Sequence, residues 1–80
     1  MTEVIEWIAL RRAHEGGVKK VNTTYTSWGR PVPCYLPGVF DALTEAGLLF
    51  LIEIDGSARL MPTLDGRTRF SVLNRVLSRL

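Results

Sequence analysis

Only one cysteine and one histidine occur in the sequence, and its longest apolar run is the five residues of 48–52. Cys34 alone excludes an intrachain disulfide and suits a reducing compartment, so a cytoplasmic location is expected. His14 has no second histidine or nearby cysteine with which to share a metal, and neither a metal nor a cofactor is expected. A run of five residues is far short of a membrane span. Glu3 and Glu6 stand where a secretory leader carries basic residues, so no signal peptide is expected. Glycine-rich phosphate loops and nucleophile elbows are also missing. Asp41 and Glu45, four apart, could be paired for acid–base work, but with no pocket implied around them they read as a solvated face. The expectation is a protein that is not an enzyme.

Nor is there a large excess of one charge. Ten Lys/Arg against eight Asp/Glu leave a net +2, with an isoelectric point near 9.1. A nucleic-acid binder gathers positive charge on one face, so its distribution decides more than its total.

What the sequence does have is apolar content. Hydrophobic residues make up 46% of the chain and aromatics 9%, enough to build a core and to argue against disorder. Eighty residues make one domain, 1–80, near the lower limit for folding without staples. A core of that size adds only a few kcal/mol, which favours burying a further face by dimerisation.

Residues 2–15 read as a first helix. Thr2 caps it, Glu3 and Glu6 suit its first turns, Arg11, Arg12 and His14 suit its last, and Gly16-Gly17 stops it. Val4, Ile5, Trp7 and Ile8 form its apolar face. The stretch VKKVNTTYTSW, residues 18–28, predicts a short strand followed by an extended or loop segment. Pro31, Pro33 and Pro37 then fall within seven residues. No regular helix can run through them, although Pro37 suits the first turn of the next one. Cys34, between prolines, reads as a small buried hydrophobe.

Residues 38–46 predict a second helix, with Val39, Phe40, Leu43 and Ala46 as its buried stripe and Gly47 as its C-terminal cap. Residues 48–54 and 58–63 predict a hairpin about Asp55-Gly56, its first strand covered on both faces at the start. Asp65-Gly66 predicts a second turn, and Thr68 the cap of a last helix reaching Leu80. On that helix Phe70, Leu73, Leu77 and Leu80 form one stripe with Val72 and Val76 beside it. The arc is wider than one core contact needs, so these six residues are the expected interface of a homodimer, with burial inside the chain as the alternative.

Helix, strand, proline-rich turn, helix, hairpin and helix in that order resemble the winged helix-turn-helix superfamily. Leu43, Ala46, Gly47, Leu48 and Leu49 match the "Leu-x-x-Ala-Gly-Leu-Leu" corner that commonly closes the recognition helix there. Leu60, Pro62, Gly66 and Arg67 match the returning wing strand and the turn after it. GRPVP upstream is similar to the approach to a recognition helix in bacterial regulators. The match covers residues 29–70, roughly half the chain. It implies an α+β fold, a small winged-helix-like domain of three helices with a short strand and a β-hairpin wing. It also implies binding to double-stranded DNA as a small bacterial or phage-type transcriptional regulator.

Two features depart from that pattern. Gly29, Pro31 and Pro33 leave no room for a separate helix before the second one. The polar face of the second helix carries Gly38, Asp41, Thr44 and Glu45, two carboxylates where a groove reader needs donors. No basic residue occurs between Arg30 and Arg59. DNA contacts are therefore expected elsewhere. Lys19, Lys20, Arg30 and Arg59 are the candidate phosphate ligands, with Arg67 after the wing. Asn22, Thr23, Thr24, Tyr25 and Ser27 are placed near bases or backbone. The plain alternatives stand beside them: lysines at 19 and 20 guard an edge strand, while Trp28 and Tyr25 complete the core instead of stacking on bases. The competing function is a winged-helix protein–protein interaction module that binds no DNA, using the acidic helix face or the Val72/Val76 stripe.

Overall fold

Local sequence signals set the boundaries of each element in the computed structural model, which describes residues 2–54 and 56–79. Helix α1 (Glu3–Glu15) begins where the Thr2 hydroxyl accepts a hydrogen bond from the Ile5 amide at 3.3 Å, and it buries Ala9, Leu10 and Ala13. It ends at Gly16, whose φ of 85° suits glycine.

Residues 18–31 hold three strands, β1 (Val18–Val21), β2 (Thr24–Ser27) and β3 (Arg30–Pro31), where the sequence predicts one strand and a loop. Two reversals account for the difference. Asn22 takes a left-handed φ of 57°, which asparagine tolerates better than most residues, and turns β1 into β2. Trp28 and Gly29, at φ 54° and 80°, turn β2 into β3.

Helix α2 (Leu36–Glu45) starts two residues earlier than its periodicity predicts, because Pro37 fits the first helical turn and Leu36 is wholly buried. Cys34 just before it is exposed, against expectation: Leu36 takes the buried place and leaves the proline-bounded turn outside. At the far end the Leu48 amide donates to the Leu43 carbonyl (2.9 Å) and the Gly47 amide to that of Thr44 (3.1 Å). With Gly47 at φ 79° this is a Schellman closure, and Ala46, expected in the buried stripe, is an exposed cap residue.

Strands β4 (Leu49–Ile54) and β5 (Ser57–Pro62) form the expected hairpin. Gly56 is left-handed at φ 80°, and the other predicted turn residue, Asp55, lies outside the described residues. Helix α3 (Leu64–Leu77) takes the place of the second predicted turn: Asp65 and Gly66 belong to its first turn, and its cap is Thr63, not Thr68. The Thr63 hydroxyl accepts from the Gly66 amide (3.0 Å) and donates to the Gly47 carbonyl (2.7 Å). One side chain thus joins the start of α3 to the end of α2. Gly66 is glycine for contact: a β-carbon there would overlap the Leu48 carbonyl oxygen.

The described residues form a small α+β fold of three helices and a five-stranded antiparallel sheet ordered β3-β2-β1-β5-β4. Residues directly opposite in antiparallel strands share a face. The register therefore puts Val18, Lys20, Tyr25, Leu49 and Leu60 on one face and Lys19, Thr26, Phe50, Ile52, Ile54, Arg59 and Met61 on the other. All three helices lie against the first face, where Leu10, Leu36, Phe40, Leu43 and Leu73 complete the core. The second face carries none of the core residues. Strand β4 lies at the edge of the sheet, and after Leu49 its residues are exposed, so the prediction of a strand covered on both faces fails. Of the stripe on α3, Leu73 is buried and Phe70 and Leu77 pack on the chain's own core, while Val72 and Val76 are exposed. Leu80 lies outside the described residues. No helix among those residues is long and apolar enough to cross a membrane.

Candidate nucleic-acid interface

The residues predicted to meet DNA separate into two groups, and strand alternation does the sorting. Lys19 and Arg59 are direct partners across β1 and β5 and share the open face. Neither has an ion-pair partner among the described residues. Thr24 is exposed on the same face.

Lys20, one residue on, points to the helical face. Its ammonium lies 3.8 Å from the Asp41 carboxylate and 5.1 Å from the centre of the Tyr25 ring. Tyr25 is buried, tilted against Phe40 with ring centres 5.1 Å apart, and donates its hydroxyl to Asp41 at 2.7 Å. Burial first, then the hydrogen bond and the charge of Asp41, push the Tyr25 phenol above its ordinary range. Tyr25 is a core residue, as the alternative reading has it, and its buried ring leaves no open face on which a base could stack. Asp41, expected as a free acidic group on the helix face, is turned toward the sheet and shared by Tyr25 and Lys20.

Asn22 serves the β1–β2 turn, and Ser27 is half-buried beside Trp28. Arg30 is exposed on the two-residue edge strand, and Arg67 is exposed in the first turns of α3. Its neighbour Arg69 is held by both oxygens of Glu6 at 3.0 Å. That hydrogen-bonded pair, then the Glu6 charge, raises the Arg69 pKa further above its usual value. His14 is exposed and stacks on Phe70, ring centres 4.9 Å apart.

Trp28, expected in the core, is the residue whose placement differs most: it is 71% exposed. Two conditions hold the indole there. The turn of Trp28 and Gly29 has two residues and a left-handed φ at both, as type I′ hairpins require. A left-handed tryptophan is strained by about 1–2 kcal/mol. Across from it Gly17 accepts from the Trp28 amide at 3.0 Å and lets the indole lie on its α-carbon. A β-carbon on Gly17 would come within 2.5 Å of the ring.

The indole stands between two shallow clefts. One is lined by Ile8, Arg11, Arg12, Glu15 and Ser27, the other by Glu15, Gly16, Gly17, Lys19, Gly29 and Arg59. Among the described residues, four cations therefore flank one exposed aromatic, against a single carboxylate. That carboxylate, Glu15, is already paired with Arg11 at 3.0 Å. The sequence carries a signal for Trp28 that propensity masks. Gly29 followed by Arg-Pro marks a reversal, and in the two-residue turn it forms the residue before the glycine is carried out of the core.

Compared with protein families, characterised proteins and solved structures, the chain matches none.

Proposed function

We propose that the chain binds DNA through the surface built by Trp28, Lys19, Arg59 and Arg12, on a winged-helix-like framework. The observation that carries this reading is the strained, exposed indole set between two clefts rich in cations. Backbone strain persists where the surroundings fix it, and it gathers at functional sites. An exposed aromatic offers a stacking surface, and unpaired cations beside it offer charge to phosphates.

The winged-helix reading draws support from the order β1-β5-β4, with α2 passing through the Gly47 corner straight into β4. The β2 and β3 strands stand where a separate helix would precede α2. With Asp41 occupied by Tyr25 and Lys20, and no basic residue on α2, the helix is a strut in this proposal and the sheet side does the binding.

Binding to a labelled duplex and to the matching single strand, read by fluorescence anisotropy at low salt, tests the reading. Trp28→Asn suits the turn better than tryptophan and should leave thermal stability equal or higher, while weakening binding at least tenfold. Lys19→Gln with Arg59→Gln should lower the salt slope by about two units, roughly one for each phosphate no longer neutralised. Absence of binding at low salt, or indifference to all three substitutions, would end the proposal.

A further inference from the structure

The two edges of the sheet are built differently. The β3 edge is two residues long and holds Arg30 and Pro31, a charge and a residue with no amide to donate. These are the usual devices that stop a sheet from adding strands. The β4 edge has none of them. It runs six residues, holds no proline or basic residue, and exposes Phe50, Leu51, Ile52 and Ile54 at 41, 38, 40 and 40%. Glu53 is its single charge. An apolar edge of that length left open in water recruits other strands.

We propose that β4 pairs antiparallel with β4 of a second copy of this chain, about a two-fold axis at Ile52. The two five-stranded sheets then become one. The pattern of the strand fits a second copy in this register. Phe50, Ile52 and Ile54 sit symmetrically about the axis, so Phe50 faces Ile54 of the partner subunit, and Ile52 meets its own copy. Cross-strand pairs of this kind are the unit of sheet stability. All of these side chains lie on the open face, where they extend one apolar strip across the axis. Leu51 falls opposite Glu53 of the partner subunit on the other face, so no carboxylate directly opposes another. A slip of one residue would bring the Phe50 set against the wrong face, which the alternation forbids.

Self-complementarity of one patch is what a two-fold interface requires, and it closes at two copies. The axis stands normal to the sheet, so both sets of helices stay on one side and both open faces on the other. The proposal stands whether or not the chain binds nucleic acid.

Sedimentation of the full chain at micromolar concentration should show a dimer. In a Cys34→Ser background, Ile52→Cys should form a disulfide between copies under mild oxidation, because the two positions meet at the axis within disulfide reach. Ile52→Lys should give a folded monomer by circular dichroism, while Val76→Lys on α3 stays dimeric. If Ile52→Lys fails to fold, the cysteine cross-link decides alone. A wild-type chain that is monomeric or polymerises without limit overturns the proposal. So does a dimer that survives Ile52→Lys, is lost in Val76→Lys, or fails to cross-link at position 52.

Discussion

Gly66 and Leu48 meet backbone to backbone. The Leu48 carbonyl accepts from the Thr63 amide at 3.0 Å, and its oxygen occupies the space a Gly66 β-carbon would need. Gly66→Ala must push the first turn of α3 away from the α2 corner, and overpacking of this kind costs about 1–3 kcal/mol. Gly38 is the contrast, a helical glycine with open space around its α-carbon. Gly38→Ala should stabilise by about 0.5–1 kcal/mol through the lower entropy of the unfolded chain. Urea unfolding of both variants checks the pair, and equal effects would refute the steric role of Gly66.

Thr63 binds the same junction through its side chain. Thr63→Val keeps the shape but removes the cap of α3 and the bond to the Gly47 carbonyl. A loss of about 1–2 kcal/mol is expected. Thr63→Ser retains the hydroxyl and should lose clearly less. Thermal unfolding of the two variants decides, and no difference between them would count against the cap.

Lys19 and Lys20 should differ sharply despite adjacency. Lys20→Gln alters the contact with Asp41 behind the sheet and should leave DNA affinity and its salt slope within error, whereas Lys19→Gln should lower both. The stability change at Lys20 should stay below about 1 kcal/mol, because the pair is long at 3.8 Å and Asp41 remains open to solvent. Anisotropy titrations at two salt concentrations make the comparison. A larger DNA effect at Lys20 would reverse the assignment of faces.

Alkaline pH should destabilise the protein through Tyr25. Its folded pKa is raised, by burial first and by Asp41 second, while the unfolded phenol titrates near 10. Below that pH both states hold the proton and the contribution is flat. Above it the unfolded chain releases a proton that the folded one keeps, so stability falls as pH rises. Tyr25→Phe should begin less stable, by about 1 kcal/mol for the missing hydrogen bond, and fall less steeply above pH 10. Denaturation followed across this range tests the slope. Parallel slopes for the two proteins would exclude Tyr25 as the source.

Much of this fold is legible in the sequence because the signals are local. Thr2 and Gly16 bound α1, the Ala46-Gly47-Leu48 corner closes α2, and apolar runs about Gly56 mark the β4–β5 hairpin. Sequence and structure part where one residue type serves two purposes. Gly66 has the sequence look of a turn but is required by the Leu48 carbonyl, a contact between chain segments far apart. Asn22 and Trp28 each take a left-handed backbone, which converts a supposed loop into two more strands. The same ambiguity hides the site. Lys19 and Arg59 share a face only once β1 pairs with β5, and without that register Lys20 looks equally suitable.

The join between β1 and β5 is short. Only Lys19 with Arg59 and Lys20 with Ala58 are paired there, yet this seam unites the β1–β2 hairpin with the β4–β5 hairpin. Each hairpin pairs neighbours in the chain, while the seam closes a loop of roughly forty residues and so carries the larger closure entropy. The cationic pair straddles it. A polyanion held by both side chains would clasp the halves together, so occupancy and the integrity of the sheet would rise and fall as one.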